Sequence, residues 1–391
     1  MTAVVAHPLA QHAYELCVAL AENGQFERFY TSFYFYPAWH GWTPRQLRAR
    51  LGRRWHPRLP PERVSAFPGI EFHARLMKAI SPAPYRVRYL YEHFRKFDRL
   101  VAQRIPESPS AVVIGYENSC EETFRAARKS GKLCVLDAAS VHFDTQRKAW
   151  PEFPAGAFWD DVNARKAREI GLADHILTLS SFARESYVSA GIPANKVSVV
   201  GLGFDPDAFR FIRRDVRNVP FRFLFVGSLS PAKGVGDLIR AFQGLELPDA
   251  ELVLVGGGGE VPSGFGRIEK NVRFTGYLGR DRLIEEYAAA HVLVFPSRFD
   301  GFGQVVVEAM STGLPVIVSN HVGAGDLVRH GENGWIVRSG DVEDLQARMH
   351  VAWRDRLNLA HVGEQASRDV SGYTWAAYRR RVFYCLQALV A

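Results

Sequence analysis

Cysteine is scarce in this chain. The four present, Cys17, Cys120, Cys134 and Cys385, lie far apart and form no C-x-x-C pair. That spacing speaks against a disulfide framework or a cysteine zinc site and fits reduced core thiols in a cytoplasmic protein. Long apolar runs are missing as well. Nothing approaches the ~20 residues that cross a bilayer, and the opening Thr2-Ala3-Val4-Val5-Ala6 runs straight into His7-Pro8, too short for a secretory signal. The expectation is a cytoplasmic protein, at most peripheral on the inner face of a membrane. A nucleic-acid-binding module is also absent from the motifs, so nucleic acid is not an expected partner.

What is present is an ordinary globular composition, 47% hydrophobic and 23% charged, in a chain of 391 residues that is long for a single core. The net charge of +8 is unevenly placed. Between Gly41 and Arg104 fifteen Lys and Arg face four acids, Glu62, Glu71, Glu92 and Asp98. This local excess is larger than that of the whole chain, leaving the remainder slightly acidic. In it, Thr43 reads as a helix cap with Pro44 at the first position, and Leu47, Leu51 and Trp55 as an apolar stripe among arginines. Two readings stand side by side: a helix resting on anionic lipid, or a solvated cationic face of its own domain.

Two series of strand-then-helix units predict parallel sheets with covering helices. The first series has strands at Thr2–Ala6, Arg28–Tyr34, Ala111–Gly115, Leu133–Asp137, His175–Leu179 and Val197–Val200. The second has them at Phe221–Val226, Glu251–Val255, Val272–Thr275, Val292–Phe295, Pro315–Val318 and Gly334–Val337, nearly all apolar as strands buried on both faces are. Helical stripes intervene at Leu238, Ala241, Phe242, Leu245 and at Leu283, Tyr287, Ala290. The Gly201–Pro206 cluster of glycine and proline marks the join. The expected domains are therefore 1–202 and 203–372, with the aromatic helix Tyr373–Leu389, capped by Thr374, returning to the first domain as part of a segment 373–391. Ligands of such sheets bind at the strands' carboxyl ends, here lining a cleft between two α/β halves.

The segment Phe299-Asp300-Gly301-Phe302-Gly303-Gln304-Val305-Val306-Val307-Glu308 places two acids eight positions apart around a glycine-bracketed turn that opens a helix. At ~1.5 Å per helical residue they span ~12 Å or less, the reach of an extended nucleotide-sugar. Carboxylates accept from sugar hydroxyls, and free helix-end N–H groups meet phosphate. The bland alternative is an N-capping aspartate and a solvent-facing glutamate. Other signals are weaker. His7 and His12, five apart, do not suit metal coordination from one helical face. Gly256–Gly259 lacks the G-x-G-x-x-G spacing. Asp205-Pro206-Asp207 follows the interdomain glycines and reads as a turn, so no metal site is expected.

In order, Phe225-Val226-Gly227-Ser228-Leu229-Ser230-Pro231-Ala232-Lys233-Gly234, Leu254-Val255-Gly256-Gly257, Val272–Leu278, Phe295-Pro296-Ser297, the two-acid segment, Gly313-Leu314-Pro315-Val316 and Gly331–Trp335 resemble family 4 glycosyltransferases of the GT-B fold. Ala173-Asp174-His175, Ser180-Ser181-Phe182 and Gly191-Ile192-Pro193 resemble that family's last unit before the linker. The resemblance covers most of 111–344 and fades over 37–104. It implies metal-independent, retaining transfer of a sugar from a nucleotide-sugar co-substrate to an acceptor hydroxyl, with no cofactor and an acceptor that includes lipid-linked glycans. Lys233 would then pair with the diphosphate, and the backbone of Gly301, Phe302 and Gly303 would meet phosphate and sugar. Glu308 would hold the ribose, Asp300 the transferred sugar, and Gly276-Tyr277-Leu278 the base. In one commonly proposed mechanism the leaving phosphate takes the acceptor proton.

Two departures stand out. The family's first acid is usually Glu, and Asp300 is one methylene shorter. The family commonly has Arg where Ser228 stands, so Arg298 or a base from the first half is expected to replace that cation near the diphosphate. His142, after a strand, resembles the family's histidine beside the transferred sugar. Gln11 and His12 replace a glycine-rich first loop and would start the first helix near phosphate or acceptor. A silent GT-B binding module and a sugar-nucleotide epimerase remain the alternatives.

Overall fold

The computed structural model describes residues 2–9, 11–215, 220–257 and 271–389. Gly258 and Gly259 of the glycine run lie outside the described residues. The first sheet contains β1 (Ala3–Ala6), β2 (Phe26–Thr31), β3 (Val64–Ala66), β4 (Val112–Tyr116), β5 (Leu133–Ala138), β6 (His175–Thr178) and β7 (Val197–Val199). Its order is β3-β2-β1-β4-β5-β6-β7, and every pairing is parallel. The second contains β8 (Phe221–Val226), β9 (Ala250–Val255), β10 (Val272–Gly276), β11 (Val292–Phe295), β12 (Val316–Ser319) and β13 (Gly334–Val337), in the order β10-β9-β8-β11-β12-β13, again parallel. Each sheet thus reverses its winding beside its first strand, between β1 and β4 and between β8 and β11. The crevice at such a reversal is where open α/β sheets hold ligands.

The apolar runs explain the strands. Phe221, Phe223, Leu224, Phe225 and Val226 are all buried, as helices on both sheet faces require. Twelve strands fall where the alternating and continuous apolar runs placed them, within a few residues. The short β3 was not anticipated, because Val64-Ser65-Ala66 carries one strongly apolar residue. It forms by parallel pairing with β2 at Phe29, Tyr30 and Thr31.

Helices of the first half are α1 (Ala13–Glu22), α2 (Arg45–Leu51), α3 (Pro68–Ile80), α4 (Ala83–Ala102), α5 (Glu121–Lys129), α6 (Phe143–Ala149), α7 (Ala157–Leu172) and α8 (Ser181–Val188). Those of the second are α9 (Val235–Gln243), α10 (Arg280–Ala289), α11 (Gln304–Ser311), α12 (Val342–Arg354) and α13 (Leu359–Val370). The last, α14 (Trp375–Ala388), is capped by the Thr374 side chain, which accepts from the Ala377 N–H. It packs against α1 of the first half, where Arg379 pairs with Glu15 and Glu22. Arg381 reaches the carbonyls of Val200 and Leu202 and so ties α14 to the crossing segment.

The basic segment departs from expectation. Thr43 does not cap α2: its hydroxyl donates to the Trp39 carbonyl, and Pro44 occupies the cap position. The helix stops at Leu51, followed by a 3₁₀ turn over Gly52–Arg54, so Trp55 does not continue a helical stripe. An exposed apolar stripe lies instead on α3. Phe72, Leu76 and Ile80, four residues apart, are 71%, 48% and 66% exposed. No helix among the described residues is long and apolar enough to cross a membrane.

Candidate active site

Two cavities meet at the carboxyl end of β8, where both are lined by Val226 and Gly227. The first, of about 550 Å³, lies between the halves. Gln11, His12, Tyr116, Ala139 and Ser140 face it from the first half, and Lys233, Asp300, Gly301, Phe302 and Gly303 from the second. The second, of about 510 Å³, is lined by Ser228, Tyr277, Leu278, Arg280 and Glu308, with Arg53 entering from the first half.

The glycine-bracketed turn is built by close approach. Gly303 sits at φ +87°, a left-handed conformation that glycine adopts without strain, and it starts α11. A Cβ at Gly301 would overlap the Ala139 carbonyl oxygen of the opposite half, so only glycine lets the halves meet there. Ser180 donates to the Gly301 carbonyl at 2.8 Å, and Gln304 Nε2 to the Gly203 carbonyl at 2.6 Å. Asp300 is held on the turn: Oδ1 accepts from the Phe302 N–H at 3.0 Å and Oδ2 from Lys233 Nζ at 2.6 Å. The Phe302 N–H is therefore committed to Asp300, whereas the N–H groups of Gly303 and Gln304 make no hydrogen bond among the described residues. Helix-start N–H groups of that kind suit an anion.

Glu308 lies within α11 at the floor of the second cavity. Its Oε2 accepts from the Tyr287 hydroxyl at 3.2 Å. Burial, which penalises the charged carboxylate, pushes its pKa up to about 7, although the Tyr287 hydroxyl and the Arg280 charge pull the other way. It is thus not the solvent-facing glutamate of the bland alternative. Tyr277 and Leu278 line the same cavity, while Gly276 turns the chain at φ +71° just before them. The Arg53 guanidinium lies 4.9 Å from the centroid of the Tyr277 ring.

Two expected site residues stand elsewhere. Arg298 lines neither cavity, because its guanidinium pairs with the buried Asp237 at 2.7 Å and packs beside Gly340. The cation from the first half that reaches Ser228's cavity is Arg53. His142 also lines neither cavity. Its Nδ1 accepts from the Asp144 N–H at 3.3 Å, capping α6, and its ring packs edge-on to Tyr187. Burial lowers its pKa and favours the neutral ring. The cleft histidine of the first half is His12, whose Nε2 lies 3.0 and 2.9 Å from the two oxygens of buried Asp137. Sequence reasoning passed over Asp137, Arg53 and Tyr287. An acid closing the apolar run Leu133–Ala138 was the available signal for Asp137; Tyr287 was hidden in a stripe read as core. Asp205, as expected, forms a turn, accepting from the N–H groups of Asp207 and Ala208.

Two doubly wound halves closing on a cleft with these cavities define a GT-B fold. Residues 210–369 match the family described as glycosyl transferases group 1. The chain is 28% identical over 185 residues to the amylovoran biosynthesis glycosyltransferase AmsK of Erwinia amylovora, covering 44% of this chain and 46% of that protein. It is 32% identical over 244 residues to an uncharacterized glycosyltransferase of Methanocaldococcus jannaschii, covering 56% and 62%. The chain spans about half the length of the relatives it matches. Over whole chains it resembles the sucrose-phosphate synthase structure from Thermosynechococcus elongatus, with a TM-score of 0.73 at 18% identity and 100% and 99% coverage. The structure of Anabaena HepE in complex with UDP-glucose gives a TM-score of 0.66 at 18% identity, with 99% and 100% coverage.

Proposed function

We propose that this protein is a retaining, metal-independent glycosyltransferase that moves a sugar from a nucleotide-sugar to an acceptor hydroxyl in polysaccharide, glycan or glycolipid synthesis. The observation that carries this reading is the continuity of the two cavities through Gly227, with Glu308 at one end and the Lys233–Asp300 pair at the other. A nucleotide-sugar laid along that path puts its base on Tyr277 and Leu278 and its ribose on Glu308. The diphosphate crosses Gly227 and Ser228 toward the start of α11, and the sugar reaches Asp300. The family match over 210–369 and the UDP-glucose bound by HepE support a nucleotide-sugar donor.

The chemistry asks for fixed positive charge where the leaving diphosphate gains negative charge. Lys233, now paired with Asp300, shifts its ammonium toward the diphosphate as the sugar hydroxyls take over that carboxylate. Arg53 supplies the cation that Ser228 cannot: the base displaces it from the Tyr277 face and frees the guanidinium for phosphate. The acceptor enters from the first half, past Gln11 and His12.

The exposed stripe Phe72, Leu76 and Ile80 on α3, with Arg75 and Lys78 beside it, supports a peripheral contact with an anionic membrane where a lipid-linked acceptor would reside, on its cytoplasmic side. A thermal-shift panel of nucleotide-sugars tests the central reading. A donor at one hundred times its Kd stabilises the protein by ~2.7 kcal/mol, and release of free sugar or a glycosylated product follows. Absence of any shift across the panel overturns it. Binding without turnover, even with acceptor extracts, identifies a silent module instead.

A further inference from the structure

We propose that the sugar this protein transfers is a 6-deoxyhexose, in which a methyl group stands where an ordinary hexose carries its primary hydroxyl. The proposal rests on the glycosyl-transfer reading above and narrows the donor at that same site to one class of nucleotide-sugar.

The polar side chains that line the first cavity are few, and each is already hydrogen-bonded within the protein. The Tyr116 hydroxyl donates to Gln11 Oε1 at 2.8 Å, and His12 Nε2 lies 2.9 Å from the Asp137 carboxylate. Ser140 Oγ accepts from Gln146 Nε2 at 3.1 Å. Lys233 and Asp300 hold each other. Gln304 donates to the Gly203 carbonyl and keeps its Oε1 buried.

What remains for a ligand is divided by place. The spare ammonium hydrogens of Lys233 and the free N–H groups at the start of α11 suit the diphosphate. Gln11, His12 and Tyr116 stand together on the loop after β1 and the end of β4, where the acceptor enters. That leaves Asp300 and the Ser140 hydroxyl hydrogen for the sugar. A carboxylate takes a vicinal pair of hydroxyls, and Ser140 takes one more. A nucleotide-bound hexose presents four hydroxyls and a 6-deoxyhexose three, so the second finds a partner for each and the first does not.

The rest of the wall beside Asp300 is apolar. Leu179 and Phe302 line the cavity and are 3% and 4% exposed. Leu179 precedes Ser180, which donates to the Gly301 carbonyl, and the Ala139 carbonyl abuts Gly301. This wall therefore borders the turn that bears Asp300. His142, which the family resemblance would set beside the sugar, caps α6 and lines neither cavity. A primary hydroxyl against Leu179 and Phe302 loses its water and gains no partner, whereas a methyl group there buries apolar surface. An apolar pocket rejects an added hydroxyl by about 10-fold to 100-fold.

The transfer step is that of the glycosyl-transfer reading. The bond from the anomeric carbon to the diphosphate oxygen breaks, and its electron pair leaves with the nucleoside diphosphate. The acceptor oxygen bonds to that carbon, and its proton passes to the departing diphosphate. The methyl group is read by the wall and takes no part in the step.

Calorimetric titration of donor pairs that share base and ring configuration tests the proposal. The pairs are UDP-glucose with UDP-6-deoxyglucose, TDP-glucose with TDP-6-deoxyglucose, GDP-mannose with GDP-6-deoxymannose, and GDP-L-galactose with GDP-L-fucose. In the pair that binds most tightly, the 6-deoxy member is expected to have the lower Kd by about 10-fold to 100-fold. Equal affinities, or a lower Kd for the 6-hydroxy member, overturn the proposal and leave the glycosyl-transfer reading standing. No binding of any nucleotide-sugar removes that reading, and this proposal with it. Leu179→Asn puts an amide on the wall and is expected to cut the preference by about tenfold. Free nucleoside diphosphate should bind that variant as it binds wild type, because Leu179 is not part of the second cavity. A full preference retained in such a variant overturns the placement of the methyl group, and the wild-type titrations decide the matter if the variant does not fold.

Discussion

At the scale of single residues, the site sets a buried acid against the water it has lost. Glu308 has one hydrogen-bond donor among the described residues, the Tyr287 hydroxyl, and one distant cation, Arg280, to offset burial. Its carboxyl therefore keeps a proton up to about pH 7 in the empty protein. Between the ordinary carboxylate range and about 7 the unfolded chain has already lost that proton. The native state therefore binds more protons across this window, and this residue's contribution to stability falls as pH rises through it. A ligand with vicinal hydroxyls carries the opposite sign, since it donates to the ionised form. Donor affinity is expected to rise by about tenfold or more between pH 6 and pH 8, levelling above about 7. Titration calorimetry across that range checks it. Glu169 is also pushed up to about 7 by burial, so the wild-type curve alone does not assign the group. Glu308→Gln should flatten the curve and weaken binding by about 1.5–3 kcal/mol, the usual value of a hydrogen bond to a charged group. Arg53→Ala should weaken it too, by about 1 kcal/mol, with a steeper loss at low salt.

At the scale of elements, α3 joins a stripe of exposed side chains to a basic rim. Its acid, Glu71, is already engaged by Arg54 and Arg75, which leaves Lys78 and Arg86, Arg88 and Arg99 of α4 without an ion pair among the described residues, whereas Arg95 pairs with Asp161. Phe72→Ser, Leu76→Ser and Ile80→Ser together should abolish flotation with anionic liposomes and leave the thermal midpoint nearly unchanged, because these side chains bury little on folding. Retained flotation would place the contact elsewhere. The same segment shows where sequence reading reaches its limit. The strands of both sheets were legible because runs such as Phe221–Val226 have no solvent-facing register, and the Asp300–Glu308 turn because glycines and acids sit at fixed offsets. The apolar stripe read over Leu47, Leu51 and Trp55 does not form because α2 stops at Leu51, and Thr43 does not cap that helix because its hydroxyl donates to the Trp39 carbonyl instead. Likewise His142 and Arg298 carry the right chemistry near the right loops. Only folding reveals that α6 and Asp237 claim them first.

At the scale of the whole molecule, the proposed transfer depends on how the halves meet, and they meet closely enough for backbone to touch backbone. The Gly301 carbonyl accepts from Ser180, and a Cβ at Gly323 would run into that same Ser180 side chain. The Ser181 N–H reaches Asp326 at 2.7 Å, and Phe182 stacks on His321 with centroids 5.2 Å apart. All of these contacts converge beside the turn that bears Asp300, so the turn proposed to hold the sugar is also the latch between halves. A methyl group at Gly301 strikes the carbonyl of Ala139, the residue that follows β5. Gly301→Ala should therefore hold the halves apart while each keeps its own core. Small-angle scattering is expected to show a larger radius of gyration than wild type in the presence of nucleotide-sugar. Turnover should fall by about 100-fold, since a displacement near 1 Å is enough to cost that much. Nucleotide alone should lose only the Arg53 contribution, because Glu308, Tyr277 and Leu278 all belong to the second half. If the variant closes normally on donor and turns over at the wild-type rate, the latch is not at Gly301.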